Sequence, residues 1–232
     1  FLLACLLVSS LLAQEVVSPL TVNENLSKEV ISKKSLSIVN LPFFDDFSDY
    51  KGYPNPNLWQ DNDAYINTTL PINPLNIGVA TLDGLDSLGN PRNITNANSQ
   101  GDADYLTSKI IDLSANTEVY MSFYYQSKGL GNMPDSEDFL SLEFYNNNTG
   151  FWDEVWSTIS DAEITNFQRH DVLIDQAEYL NQNFKFRFHN LATLSGNFDH
   201  WHLDNILITN SLEESINTAD VAFVYETANV LN

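Results

Sequence analysis

The side chains that could carry chemistry are dominated by acids. The 232 residues hold 31 Asp and Glu against 10 Lys and Arg, four His and one Cys. His200-Trp201-His202 lies in an alternating run, so both imidazoles project to one side with Asp204 two residues on. That is zinc-ligand spacing. Nothing else in the chain points to a third ligand and an open position, so the pair reads as two imidazoles at the start of a strand. Asp153-Glu154 and Glu213-Glu214 are sequence neighbours, which diverge on a strand and cannot flank one glycosidic bond. Glu143 faces outward between Ser141 and Tyr145, where a sugar hydrolase on a curved sheet would keep its acid. A second carboxylate at i±2 or i±4 is missing, so Glu143 reads as a partner for Lys185 or Arg187 across the sheet. The chain contains no GxSxG, HExxH, P-loop or GxGxxG motif. A non-enzyme is expected.

Cation chemistry has more support. Phe44-Asp45-Asp46-Phe47-Ser48-Asp49 puts three carboxylates around the first strand. Asp83 to Asn90 is an oxygen-rich loop without EF-hand spacing, and Asp102 and Asp104 precede the strand at 105. Asp199 and Asp204 flank the last strand. Hard oxygen ligands without thiols select calcium. The reading is one structural calcium that closes the fold, carried by Asp204 and by Asp45 or Asp46, with Asp104 as a fourth ligand.

The elements that must position these groups are strands throughout residues 41–209. Phe184-Lys185-Phe186-Arg187-Phe188-His189 alternates strictly, which sends three Phe inward and Lys185, Arg187 and His189 outward. Val119 to Tyr125 and Phe139 to Tyr145 alternate likewise. Further strands are expected at 43–47, 77–83, 105–112, 151–157, 169–175 and 200–208, separated by turn signals such as Tyr53-Pro54-Asn55-Pro56 and Asn146 to Gly150. Many short strands with one inward face predict an all-β, two-sheet antiparallel jelly-roll sandwich. Tyr120, Ser122, Tyr124, Glu143, Tyr145, Lys185, Arg187 and His189 take the outward parity on three strands that could be neighbours. Together they form a candidate face for sugar stacking.

The ends read differently. Residues 1–13, FLLACLLVSSLLA, are too short for a membrane span and fit the back half of a secretory signal, which leaves Cys5 out of the mature chain. Residues 14–40 read as a polar tether. A linker at 210–219 leads to an apolar run at 220–232 that reads as the start of a further domain. A net charge of −21 argues against nucleic acid and against anionic membrane surfaces. The 43% hydrophobic content excludes wholesale disorder.

In order, FFDDFSD, GVATLDGLD, GDADYLTSKIIDLS, VYMSFYYQSKG, DFLSLEFY, FWDEVWS, FKFRFHN and HWHLDNILI resemble the MAM-like (concanavalin-like) jelly-roll modules of secreted Bacteroidetes proteins, akin to the cleaved-adhesin domains of gingipains. The resemblance covers about residues 42–209. It implies calcium near the meeting of first and last strands, no catalytic residues, and a place in long surface proteins exported by a C-terminal sorting signal. The family's Glu after the first-strand Phe is Ser48 here, so Asp45 or Asp46 must supply that ligand. Two functions follow. One is a non-catalytic adhesion or carbohydrate-binding module of a secreted multidomain cell-surface protein, with a glycan or surface protein as partner. The other is an accessory domain of a secreted protease or glycosidase. The family context also makes Ser87, in Asp86-Ser87-Leu88, a candidate for O-glycosylation. The sequons at Asn25, Asn67, Asn93 and Asn147 would matter only in a eukaryotic host.

Overall fold

The computed structural model describes residues 22–26, 38–160 and 166–213. The strands in chain order are β1 (Ile38–Val39), β2 (Phe43–Asp45), β3 (Tyr65–Asn67), β4 (Val79–Leu82), β5 (Gln100–Thr107) and β6 (Ile110–Ile111). They continue with β7 (Val119–Ser127), β8 (Phe139–Asn146), β9 (Phe151–Ile159), β10 (Gln168–Ile174), β11 (Phe186–Thr193) and β12 (Trp201–Thr209). One layer runs β10-β7-β12-β4-β3, with β2 also paired to β12, and the other runs β5-β11-β8-β9. Number the eight main strands β4, β5 and β7 to β12 from first to eighth. One layer then reads 1-8-3-6 and the other 2-7-4-5, which is jelly-roll wiring. Every pair in both layers is antiparallel. The chain folds as an all-β jelly-roll sandwich.

The core follows from alternation. Phe184, Phe186 and Phe188 point inward and are fully buried. Phe188 meets Phe123 of the opposite layer edge-on at 4.8 Å, so the two sheets interlock through aromatic rings. At one end Phe43, Trp59 and Phe186 meet edge-on at 5.2–5.6 Å between centroids. Burying each such Phe contributes about 2 kcal/mol.

Two irregularities set the surfaces. On β9, Leu142 faces Trp156 while Glu143 faces Glu154, so Val155 is an extra residue in the ladder. This bulge reverses parity partway along the strand. Trp156 turns inward against Phe123 and Tyr125, while Trp152 turns outward beside Tyr145. On β12 the register slips between Asp204 and Leu207, with Asn205 at φ 49°. Before the slip β12 pairs with β4; after it, with β2. Asp204 sits at this change of partners.

Residues 14–40, expected as a tether, are partly docked. Asn23 N–H donates to the Gly89 carbonyl (2.8 Å), Leu26 is buried, and Ile38–Val39 pair in parallel with Ile110–Ile111. A polar stretch without alternation hides such contacts, because each one is a single residue's. The apolar segment 1–13 and the run 220–232 lie outside the described residues. Among the described residues no helix is long and apolar enough to cross a membrane.

Candidate functional site

The outer face of β5-β11-β8-β9 is a continuous layer of rings and charges. Arg187 on β11 pairs with Glu143 directly across on β8. Its guanidinium also lies 4.6 Å from the ring centre of Tyr105 on β5 and 4.3 Å from that of Trp152 on β9. Lys185, just before β11, holds its ammonium 4.2 Å from the Tyr145 ring centre and 5.4 Å from Trp152. His189 stacks on Tyr105 at 4.8 Å and 8°, and Phe139 meets it edge-on. All four strands contribute, so the face is held by the sheet ladder and not by loops. Burial pulls the Lys185 ammonium below its ordinary pKa, and neighbouring Arg187 adds to the effect. Burial likewise lowers His189, whose Nε2 lies 3.2 Å from Asp102. Tyr105, Tyr145, Trp152, Lys185 and Arg187 are all half-buried, so part of each side chain stays exposed to solvent. Such rings offer flat apolar area for sugar C–H groups beside fixed hydrogen-bonding groups.

Glu143, Tyr145, Lys185, Arg187 and His189 of the expected face are together here. Tyr120, Ser122 and Tyr124 are not. β8 pairs with β11 and β9, whereas β7 belongs to the other layer, between β10 and β12. Jelly-roll wiring sends β7 and β8 to opposite sheets, and of the eight residues Ser122 and His189 are buried. Tyr124 lies 5.9 Å from the Arg169 guanidinium, and Tyr120 donates to Glu118 (2.9 Å). Two members of the face were missed. Tyr105 alternates within GDADYLT and could have been read from parity. Trp152 shares its even number with inward Trp156, so only the bulge at Val155 separates them, and no residue there announces it.

Solved structures that align with the chain include cleaved adhesin domains, carbohydrate-binding modules and an α-L-arabinofuranosidase. The K1 cleaved adhesin domain of Lys-gingipain from Porphyromonas gingivalis W83 aligns at TM-score 0.45 and 13% identity, over 73% of this chain and 99% of that one. The CBM22-1 xylan-binding domain of Paenibacillus barcinonensis Xyn10C aligns at 0.41 and 10%, over 75% and 96%. CBM27-1 of Caldicellulosiruptor saccharolyticus, solved with mannohexaose, aligns at 0.37 and 15%, over 73% and 97%. No protein-family model and no curated protein matches the chain. At these values the site rests on its own residues.

The histidine pair does not offer a metal site. Asn132 N–H donates to His200 Nδ1 (2.7 Å), and His200 Nε2–H donates to Asn197 Oδ1 (2.6 Å). Thr81 donates to His202 Nδ1 (2.8 Å), whose Nε2–H reaches the Lys128 carbonyl (3.2 Å). Every ring nitrogen has a protein partner. Burial drives both pKa values down, to about 4 for His200 and about 3 for His202, so both are neutral at pH 7. Gly129 and Gly131 close over these rings because they lack side chains. A Cβ on Gly131 would lie 2.5 Å from His200 Nδ1.

The four aspartates expected to share calcium divide into separate environments. Asp45 accepts from the Trp59 indole (2.6 Å), the Phe47 amide (3.0 Å) and the Tyr50 hydroxyl. Asp104 accepts from Gly84 N–H (2.8 Å) and from Arg92 (2.9 Å), which also reaches Asp63 at 3.5 Å. Asp46 accepts from the Ser48 amide and hydroxyl, and Asp204 accepts from Asn76 and the Asn205 amide. Burial raises Asp204 to about 7, with the Asp46 charge a smaller cause. Donors of the chain itself thus satisfy Asp45 and Asp104, and the four do not form one cage. Asp135, Asp138 and Asp199 bring carboxylate oxygens within 4.8 Å of one another. Of these three, Asp199 is the one the sequence offers, as a flank of the last strand.

Proposed function

We propose that this chain is a non-catalytic module of an extracellular protein that binds glycan on the outer face of β5-β11-β8-β9. The supporting observation is the Tyr105–Arg187–Trp152–Lys185–Tyr145 layer, in which two cations rest on three half-exposed rings and Glu143 fixes one of them. Rigid aromatics held on strands lose little entropy on binding, and the charged groups between them hydrogen-bond hydroxyls. A glycan array probed with the 232-residue chain, its Trp152→Ala variant and its Tyr124→Ala variant tests this. Binding should be lost with Trp152→Ala and kept with Tyr124→Ala, which lies on the other sheet. Equal binding by wild type and Trp152→Ala removes this face from consideration.

Structural calcium is part of the proposal through Asp46 and Asp204 alone. The charge of Asp46 acts on Asp204, which lies where β12 exchanges β4 for β2. A divalent ion there would offset their repulsion and hold the strand junction closed.

A further inference from the structure

Lys185 has an unusual set of partners. Its ammonium offers three hydrogen-bond donors, yet among the described residues it has ring faces at 4.2 and 5.4 Å and no carboxylate within 4 Å. The three arginines Arg92, Arg169 and Arg187 each pair with an acid. Acids near this face already have donors of their own. Glu143 is held by Arg187, Asp61 accepts from the Thr107 amide (3.0 Å), and Glu154 accepts from Ser157 (2.9 Å). Burial, and after it the charge of Arg187, disfavour the Lys185 ammonium, and Asp61 offsets them only in part. A neutral sugar would supply hydroxyl acceptors but leave the Lys185 ammonium, which feels the charge of Asp61 without touching it, with no anion in contact. A carboxylate or sulfate compensates Lys185 and brings its sugar ring against Trp152 and Tyr145. The chain's net −21 does not forbid this, because at physiological salt charges beyond about 8 Å are largely screened and the adjacent cations dominate.

We propose that the face takes a carbohydrate bearing a carboxylate or sulfate group, with Lys185 as the main contact to the anion and Trp152 and Tyr145 beside the sugar. The inference rests on the glycan-binding reading above and narrows it to anionic sugars. Calorimetry with the 232-residue chain would use three hexasaccharides: galacturonate (carboxylate), κ-carrageenan (sulfate) and neutral β-1,4-galactan. At least one anionic probe should bind about tenfold tighter than the neutral one, as expected for a charge-assisted hydrogen bond. The preferred anionic probe identifies the group. Lys185→Gln should lose about that factor for the anionic probe, Lys185→Arg should retain most of it, and Lys128→Gln, an exposed charge beyond β7, should change nothing. Melting curves of each variant confirm that it folds. Neutral galactan bound as tightly as the anionic probes overturns the inference and leaves the glycan reading standing. Anionic binding untouched by Lys185→Gln also overturns it. No binding to any probe overturns both.

Discussion

Replacing Trp59 with Phe isolates how the buried Asp45 carboxylate is held. Trp59 is 1% exposed, and its indole N–H donates to Asp45 Oδ2 at 2.6 Å, beside the Tyr50 hydroxyl and the Phe47 amide. The substitution removes one donor to a buried charge, about 1.5–3 kcal/mol. It also removes part of a ring packed on Phe43 and Phe186, about 1 kcal/mol more. For a domain of this size each kcal/mol moves the melting temperature by about 2–4 °C, so a fall of roughly 10 °C is expected. Tyr50→Phe, which keeps its ring, should show the donor loss alone, about 2 kcal/mol. Burial already raises the Asp45 pKa, and a lost donor raises it further. A group with a raised folded pKa contributes stability below its unfolded value of 3.8 and loses it as pH rises through the folded value. The destabilisation should therefore be larger at pH 7.5 than at pH 4. Urea and thermal unfolding of wild type and both variants at the two pH values measure this. A Trp59→Phe loss below about 1 kcal/mol, or one equal at both pH values, would refute the account of Asp45 as a carboxylate held by neutral donors.

Three further outcomes can be checked on the same chain. Gly131→Ala places a Cβ 2.5 Å from the His200 ring and should cost about 1–3 kcal/mol in urea unfolding, whereas Gly52→Ala meets no atom within 4 Å and should cost only its positive-φ strain. His202, folded pKa about 3 against an ordinary 6.5, contributes stability above pH 6.5 that drains as pH falls toward 3; His202→Gln should flatten that loss between pH 6.5 and 4.5 by about 2 kcal/mol, and parallel wild-type and variant profiles would contradict it. Calcium in hundredfold excess over its dissociation constant should raise the stability by about 2.7 kcal/mol relative to chelator, and Asp204→Asn should remove that gain; equal midpoints with calcium and chelator would end the calcium proposal.

How far the sequence could be read depended on what kind of information each feature needed. Inward and outward faces were legible because parity is local: Phe184, Phe186 and Phe188 are buried and Lys185 and Arg187 are not. The sandwich was legible for the same reason, since many alternating runs without helical period leave no other fold class. Which strands become neighbours is not local. The outward tyrosines of β7 and the outward Glu143 of β8 look alike in sequence, and only the wiring puts them on opposite sides of the molecule. The bulge at Val155 is subtler still, because one inserted residue turns Trp152 out and thereby completes the cation–ring layer.

The acidic residues show the opposite limit. Their number points to an ion, because clustered carboxylates repel one another unless a cation bridges them. What a string of residue types does not reveal is how many N–H and O–H groups the fold brings to each one. Asp45 gathers three donors from positions 2, 5 and 14 residues away, and Asp204 takes two of its donors from Asn76, 128 residues distant. A buried carboxylate surrounded by such donors is stabilised without a metal, though at a raised pKa when desolvation outweighs them, as at both positions. The acids therefore serve first as hubs that tie the loops before β3 and β4 to β2 and β12. An ion, where one binds, adds to that scaffold and does not replace it.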